Sequence, residues 1–273
     1  MTPEDFPFAV QITDQMDWGL AEEDFEFMIE LEPKGSFILL QGAEKIGMAT
    51  TISFGKIGWF GNLIVDEKHR KEGAGSSLVQ HAINYLTSRK VQTIGLYAYG
   101  ERIQFYDRLG FQFDSEFTVL KGTAFSSKVK LDLERVQRQD TDNIINYDKF
   151  CFGTSRRKLL QPILSDRDNL CYMHTEDGQI SGYAVAKVYR GVAELGPLMC
   201  PQGPNDIAIN LLRAILRDLE GREVSMCVAE KENSIVRMLT ESGFSESFRV
   251  ARMFRGRPVA GNCICAAESL ERG

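Results

Sequence analysis

The sequence lacks the features that mark secreted, membrane-spanning and nucleic-acid-binding proteins. Its six cysteines begin only at Cys151 and include no CxxC pair, so neither a zinc site nor a disulfide framework is indicated. No apolar run approaches the ~20 residues of a membrane span, and no Lys or Arg precedes Lys34, where a signal peptide needs a cationic segment. The formal net charge of -6 argues against nucleic acid, which requires a basic surface. We therefore expect a cytoplasmic protein without metal, nucleic-acid or membrane partners.

The 273 residues contain an internal repeat that divides the sequence into two similar halves. Lys45-Ile-Gly47-Met-Ala49 returns as Ile180-Ser-Gly182-Tyr-Ala184, and Phe60-Gly61-Asn-Leu63 returns as Leu195-Gly196-Pro-Leu198, both 135 residues later. Leu109-Gly110-Phe111 returns as Ser242-Gly243-Phe244 at an offset of 133. This spacing far exceeds the period of a solenoid repeat, so it indicates duplication of a whole domain. We place a first domain at 1–125, a linker at 126–136 and a second domain at 137–273.

The first copy has the pattern of an α/β domain. A helix is expected over Asp17–Glu30 with Asp14 or Asp17 as N-cap. Further elements follow from the periodicity: antiparallel strands Ser36–Gln41, Ile46–Phe54 and Ile57–Val65, helix Ser76–Lys90, strand Val91–Tyr99, helix Arg102–Leu109 ending at Gly110, and strand Phe111–Lys121. The second copy repeats this order. The predicted fold is two tandem domains, each a mostly antiparallel central sheet flanked by helices, with Cys263-Ile-Cys265 as a tail or edge element.

A turn with two glycines lies between the strand ending at Val65 and the next helix. It reads Arg70-Lys-Glu-Gly73-Ala-Gly75-Ser76. Glycines let backbone N–H groups approach an anion closely, and the start of the following helix adds further donors. A Rossmann turn fits worse because Leu78 stands where its third glycine belongs, and a Walker A motif fails for lack of Gly-Lys-Ser/Thr. The turn therefore predicts a pyrophosphate cradle.

Two motifs together resemble the GNAT superfamily of acyl-CoA-dependent N-acyltransferases. They are Arg70-x-x-Gly73-x-Gly75 after the strand Gly61–Val65, and Phe105-Tyr106-Asp-Arg-Leu109-Gly110-Phe111. The resemblance implies acetyl-CoA as co-substrate, with backbone groups of Leu63, Ile64 and Val65 beside the pantetheine arm. It also implies that the turn holds the CoA diphosphate, through Arg70, Lys71, Glu72, Gly73, Ala74, Gly75 and Ser76.

The resemblance further assigns Tyr106 the protonation of the departing thiolate, for which a phenol with a pKa near ~10 is suited. Packing in the core is the alternative for this tyrosine. The group that takes the proton from the acceptor is open, because the strand Trp59–Val65 contains no acid and Asn62 stands where one is expected. We select Glu101 as the catalytic carboxylate, with His69 as another choice.

The first 32 residues hold ten acidic side chains and no basic one. Glu22, Glu26 and Glu30 share one helical face, where a cationic ligand would offset the repulsion between them; a solvated face is the alternative. We predict Glu22, Glu26 and Asn62 as substrate-binding residues for a small primary amine, which is acetylated by direct attack on the thioester. A non-catalytic acyl-CoA-binding or protein-interaction module and a peptide or protein N-terminal acetyltransferase are the alternatives.

The second copy keeps the pattern of elements and loses the residues that carry chemistry. Asn205, Ala208 and Asn210 align with Arg70, Gly73 and Gly75, and Leu239 aligns with Tyr106. Asn233 matches an asparagine that begins the corresponding helix in the family. We predict that this degenerate domain walls the acceptor pocket or forms a homodimer interface.

Overall fold

The computed structural model describes residues 1–126, 133–189, 191–201, 206–259 and 263–273. The first half follows the predicted order after one additional helix. Its elements are α1 (Phe6–Asp14), α2 (Glu22–Leu31), β1 (Ser36–Gln41), β2 (Glu44–Phe54), β3 (Ile57–Val65), α3 (Ala74–Ser88), β4 (Thr93–Tyr99), α4 (Ile103–Asp107) and β5 (Gln112–Thr123). The predicted strands and helices from Ser36 onward are confirmed within a few residues.

The second half repeats this order. Its elements are β6 (Glu134–Arg135), α5 (Thr141–Phe152), α6 (Arg157–Ser165), β7 (Leu170–Glu176), β8 (Gln179–Tyr189), β9 (Val192–Met199), α7 (Asp206–Asp218), β10 (Glu223–Ala229), α8 (Asn233–Glu241), β11 (Ser245–Arg255) and β12 (Ile264–Ala266).

The prediction of one helix over Asp17–Glu30 was wrong at its start. The chain forms two helices here, and Asp17 lies between them with a φ of 54°, which a right-handed helix cannot contain. Neither Asp14 nor Asp17 caps α2. Instead Ala21 precedes the helix, and its N–H donates to Asp24 Oδ2 at 2.8 Å. The first helix escaped prediction because its apolar face is short.

All twelve strands of the described residues form one sheet in the order β1-β2-β3-β4-β11-β5-β10-β12-β9-β8-β7-β6. The two halves exchange their long closing strands. Strand β11 of the second half pairs with β4, and β5 of the first half pairs with β10. The sheet is therefore continuous across the predicted linker, where residues 127–132 lie outside the described residues and Glu134–Arg135 pairs with β7.

A hydrophobic core extends through both halves. Trp59 of β3 is 1% exposed, and its ring lies 6.4 Å from the ring of Phe152 and 5.9 Å from that of Phe254. Both phenylalanines come from the second half. Burial of such large aromatic surfaces contributes strongly to stability, so neither half has an apolar core of its own at this junction.

Each half contains one pair of parallel strands that diverge. Strands β3 and β4 pair only from Ile57 with Thr93 to Trp59 with Gly95. Strands β9 and β10 pair only from Val192 with Glu223 to Leu195 with Met226. The resulting gaps are the first and second clefts of the protein.

The second cleft is filled by the chain itself. Strand β12 pairs with Val228 of β10 on one side and with Leu198 and Met199 of β9 on the other. The expectation that Cys263-Ile-Cys265 forms a tail or edge was therefore wrong, because this segment lies in the interior of the sheet. In sequence this segment is short and apolar, like a terminal extension. Only the divergence of β9 from β10 in the fold leaves room for it as an interior strand.

Candidate active site

The first cleft opens into a groove of about 2140 Å³. The groove begins at the glycine-containing turn before α3, follows the open edges of β3 and β4, and reaches the surface of the second half at β8 and β9. Several predicted site residues line it: Asn62, Leu63, Ile64, Val65, Arg70, Lys71, Gly73, Gly75, Ser76, Glu101 and Tyr106. The fold thus brings most of the predicted site into one space.

A bulge in β3 shapes the wall of the groove. Asn62 has a φ of 49°, and the register between β2 and β3 shifts at this point. Its side chain is buried and donates from Nδ2 to Thr50 Oγ1 at 3.2 Å, so this donor is engaged within the sheet. Beyond Trp59, β3 has no strand pairing on its β4 side among the described residues. The backbone of Leu63–Val65 is consequently available to an extended ligand in the manner of an added strand.

The turn before α3 has the geometry of an anion cradle. Gly73 has a φ of 89° and directly precedes the first residue of α3, and a methyl group added there would meet no atom within 4 Å. The space in front of the N–H groups of this helix is therefore open, and the helix dipole favours an anion there. Gly75 is tighter, since a methyl group added to it would lie 3.5 Å from Phe105 Cζ.

The charged residues of the turn before α3 differ in whether they line the groove. Arg70 lines the groove, but its Nε donates to Val65 O at 2.9 Å, which fixes the guanidinium against the end of β3. Glu72 is absent from the lining, and its carboxylate lies 4.0 Å from His69 Nδ1. His69 also lies near Glu44, at 3.5 Å, on the side away from the groove lining. Ala74 is likewise not part of the lining.

Two further arginines line the groove that the sequence reasoning did not select, Arg102 and Arg108. Arg102 directly precedes α4 and Arg108 directly follows it, so they lie on either side of Tyr106 in the sequence. Their proximity to the second motif was the signal that could have found them. Together with Arg70 and Lys71 they supply the cationic charge that a polyphosphate requires.

Tyr106 packs among aromatic side chains and also lines the groove. Its ring contacts those of Phe60, Phe105 and Phe111 at centroid distances of 6.4, 5.0 and 5.9 Å. Burial raises the pKa of its hydroxyl well above the usual range, although Arg102 opposes the shift. The hydrogen bonds among the described residues do not include this hydroxyl. It therefore stays protonated at neutral pH, and its raised pKa makes it a weaker proton donor than a free phenol.

Glu101 is exposed at the start of the turn that leads into α4 and lines the groove. It acts electrostatically on the neighbouring Tyr99, where burial raises the tyrosine pKa and the carboxylates of Glu271 and Glu101 add to the shift.

Only part of the predicted acidic face of α2 meets the groove. Glu22 and Glu26 are exposed and lie outside the groove lining, which contradicts their placement in an acceptor site. The lining instead contains Glu23, Phe27 and Glu30, together with Asp24. Glu30 belongs to the predicted face with Glu22 and Glu26 and does line the groove, whereas positions 23 and 27 lie on a face rotated by one residue. Charge periodicity identified the helix, and only packing decides which face turns inward.

The second half presents different groups at the equivalent positions. Ala208 is buried in α7, and Leu239 is fully buried in α8. Asn205, which aligns with Arg70, lies outside the described residues. Asn233 begins α8. With β12 in the second cleft, the described part of this half has no open parallel-strand gap comparable to the first.

A segment that the sequence reasoning took only for a tail or edge element reaches the groove from the second half. We call residues 263–273 the closing segment. After β12 it runs to β3, where a methyl group added at Gly61 would lie 2.6 Å from the Cα of Glu271. At Gly196 an added methyl group would lie 2.0 Å from Ala267 O. Gly61 and Gly196 are the glycines of the repeated motif, so the signal was in the sequence, although its meaning required the fold.

Comparison with known proteins gives the same two-part division. Residues 5–111 match the acetyltransferase (GNAT) family, and residues 144–262 match an acetyltransferase (GNAT) domain. The chain is 23% identical to the uncharacterized N-acetyltransferase YitH of Bacillus subtilis (strain 168) over 194 residues, 70% of this chain and 67% of that protein. It is 24% identical to a holothin acyltransferase of Pseudoalteromonas sp. (strain SANK 73390), covering 94% of this chain and 87% of that protein.

Among solved structures, a candidate acetyltransferase from Pyrococcus horikoshii superimposes with a TM-score of 0.82 at 21% identity, covering 100% of this chain and 94% of that one. This likeness concerns the fold. Within the described ranges, no helix is long and apolar enough to cross a membrane. The same residues contain no group of three or more His, Cys, Asp or Glu side chains arranged to hold a metal ion.

Proposed function

Because the chain belongs to the GNAT family of acetyltransferases and carries two such domains in tandem, we propose that its first domain acetylates a primary amine of a small molecule. Acetyl-CoA would supply the activated acetyl group as a thioester. The observation that carries the proposal is the continuity of the cradle, the bulge at Asn62 and the open first cleft in one groove.

The residues of the first half fit acetyl-CoA by their chemistry. The N-terminus of α3 and the open space at Gly73 suit a diphosphate, and Arg70, Lys71, Arg102 and Arg108 add positive charge around it. The unpaired edge of β3 suits the amide groups of a pantetheine arm, since these need backbone partners of the same kind. These residues would bind and orient the co-substrate.

The chain would contribute to catalysis by positioning and by proton transfer. Holding the amine next to the thioester removes much of the entropic barrier of a bimolecular reaction. Backbone N–H groups near the bulge, such as that of Val65, would stabilise the oxyanion that develops at the carbonyl. Tyr106 would give its proton to the leaving thiolate, because it lines the groove and its hydroxyl is neutral.

The charge of the groove supports a cationic acceptor. At its far end the lining contains Glu23, Asp24 and Glu30 of α2 together with Glu194 and Glu271 of the second half. A protonated amine is attracted to such a wall, and the field of several carboxylates raises its local concentration. Lys187 and Arg272 also line this end, where Lys187 pairs with Glu194 and Arg272 with Glu268, so the negative charge there is partly compensated.

Two measurements test the proposal. Calorimetric titration with acetyl-CoA should give one site per chain, and a thiol-release assay with spermidine, tyramine and a short peptide should show turnover on at least one free amine. Binding without turnover of these amines would favour a non-catalytic acyl-CoA-binding module. Turnover of the peptide alone would move the acceptor class to polypeptide N-termini.

A further inference from the structure

The two faces of β3 are occupied by different groups. Phe60 contacts Tyr106, whereas the adjacent Gly61 contacts Glu271. Consecutive residues of a strand point to opposite faces, so Tyr106 and Glu271 approach β3 from opposite sides of the sheet. In a direct transfer, the amine attacks the carbonyl from one side while the thiolate leaves on another. Glu271 therefore lies on the side opposite the proposed donor to the thiolate.

The closing segment is fixed on both sides of Glu271. Before it, Lys187 Nζ donates to Glu268 Oε1 at 2.5 Å and also lies 2.8 Å from Glu194 Oε2. After it, Arg272 Nε donates to Glu268 Oε2 at 3.0 Å. Arg156, which is fully buried, donates to the carbonyl oxygen of Gly273. A carboxylate on a segment held in this way is preorganised, which acid–base catalysis requires.

In the first half, β3 itself carries no acid from Trp59 to Val65. The first-half carboxylates that line the groove lie on other elements: Asp17, Glu23, Asp24, Glu30, Glu67 and Glu101. Glu101 is exposed and lies on the turn before α4, the helix that carries Tyr106. Against Gly61 of β3, the acidic residue comes from the second half, as Glu271.

Resting on the proposed function, we infer that Glu271 binds the acceptor ammonium and takes its proton, so that the active site is completed by the second domain. In this step the N–H bond of R–NH₃⁺ breaks, the proton passes to the Glu271 carboxylate, and the neutral amine keeps the electron pair. The amine then forms the C–N bond as the C–S bond breaks. Its second proton leaves to solvent, and the thiolate receives one from Tyr106.

The surroundings of Glu271 suit a proton acceptor at neutral pH. Burial raises the pKa of its carboxyl, Arg272 opposes the shift and Glu194 adds to it. Glu271 in turn adds to the pKa rise that burial causes at Tyr99 of β4, Tyr189 of β8 and Cys227 of β10, so these groups lie close to its carboxylate. A base with a raised pKa is protonated as the pH falls, so the rate should fall on the acid side.

The test compares Glu271→Gln with Glu241→Gln, an exposed carboxylate at the end of α8. We expect Glu271→Gln to lower kcat/KM by roughly 100-fold at neutral pH and to remove the acid limb of the pH profile. Its affinity for acetyl-CoA should stay within about twofold, while its calorimetric affinity for the accepted amine should fall by about tenfold. Glu241→Gln should match the wild type throughout.

The outcomes separate the two proposals. Failure of the wild type to bind acetyl-CoA would overturn the proposed function and the role of Glu271 together. Wild-type turnover with an unchanged rate and acid limb in Glu271→Gln would overturn only the role of Glu271. If Glu271→Gln melts at a lower temperature than the wild type, Glu271→Asp, which keeps the charge, replaces it as the test. A reduced rate with the acid limb retained supports the role of Glu271 as proton acceptor. A wild-type rate contradicts that role.

Discussion

The two clefts of this protein have the same origin in the chain and different contents. In each, a parallel pair of strands diverges next to an equivalent glycine, Gly61 in the first half and Gly196 in the second. The second cleft contains β12, whose backbone pairs with both neighbouring strands. The first remains open to the groove, with only Glu271 and its neighbours at its base.

The difference follows from how backbone groups are satisfied. Strand edges need hydrogen-bond partners when they are buried. In the second cleft the closing segment provides them permanently, so the cleft becomes part of a scaffold. In the first cleft the edge is left for a ligand. The second cleft thus anchors the closing segment, which reaches the open first cleft at Gly61.

The largest effect is expected where the closing segment is anchored, at Arg156. Arg156 is fully buried, pairs with Asp148 at 2.6 Å and binds Gly273. Removing one partner of a buried ion pair leaves an uncompensated charge, so Arg156→Ala should lower the free energy of unfolding by about 3–5 kcal/mol. Urea denaturation measures this. The adjacent Arg157→Ala is the control, since its pair with Asp142 is exposed and should contribute less than about 1 kcal/mol. Equal losses of unfolding free energy in the two variants would show that Arg156 does not anchor the closing segment.

Gly73→Trp should close the cradle of the first cleft. The indole would fill the open space before α3, and a φ of 89° strains a residue with a side chain. We expect acetyl-CoA affinity to fall at least ~100-fold, or about 2.7 kcal/mol, in calorimetry. Gly178→Trp carries a similar backbone strain at a φ of 74° in open surroundings outside the groove, and should bind normally. Binding that survives Gly73→Trp would place acetyl-CoA elsewhere.

Gly196→Ala should disturb the occupied cleft. Its methyl group would meet Ala267 O at 2.0 Å, a backbone atom that cannot rotate away. Overpacking of this kind costs about 1–3 kcal/mol, which thermal or urea unfolding would detect. Gly100→Ala, with no atom within 4 Å, is the control and should be nearly neutral. A neutral Gly196→Ala would mean that β12 is not firmly seated.

Tyr106→Phe tests whether the first half supplies the proton donor. Loss of a proton donor should reduce kcat by roughly 100-fold with little change in acetyl-CoA affinity. Tyr172→Phe removes a hydroxyl from the second half, where it donates to Asp218 at 2.6 Å, and should leave kcat unchanged. An unchanged kcat in Tyr106→Phe would leave this tyrosine as a packing residue.

The smallest effect is expected at the face of α2 that turns away from the groove. Glu26→Gln should change kcat/KM by less than about twofold, because the side chain is exposed and outside the lining. A steady-state assay with the accepted amine provides the measurement. A large rise in KM would restore Glu26 to the acceptor site.

Local patterns were sufficient for the strands, the cradle and the repeat. Alternating β-branched residues identified the strands up to Val65, and Gly73, Gly75 and Tyr106 pointed to one groove because their spacing is tied to a strand, a turn and a helix. The start of α2 was missed because Asp17 takes a left-handed conformation. The inward face of α2 was missed because several acidic faces of this helix look alike in sequence.

The sequence by itself determined the duplication, the order of elements and the turn before α3, since each depends on residues that are close along the chain. The tertiary structure alone decided that β5 and β11 exchange halves, that β12 fills the second cleft and that Glu271 reaches Gly61. Those contacts join residues that are at least 38 positions apart, and Glu271 lies 210 positions from Gly61. No local propensity encodes them, because they arise where the edges of two domains find partners in each other.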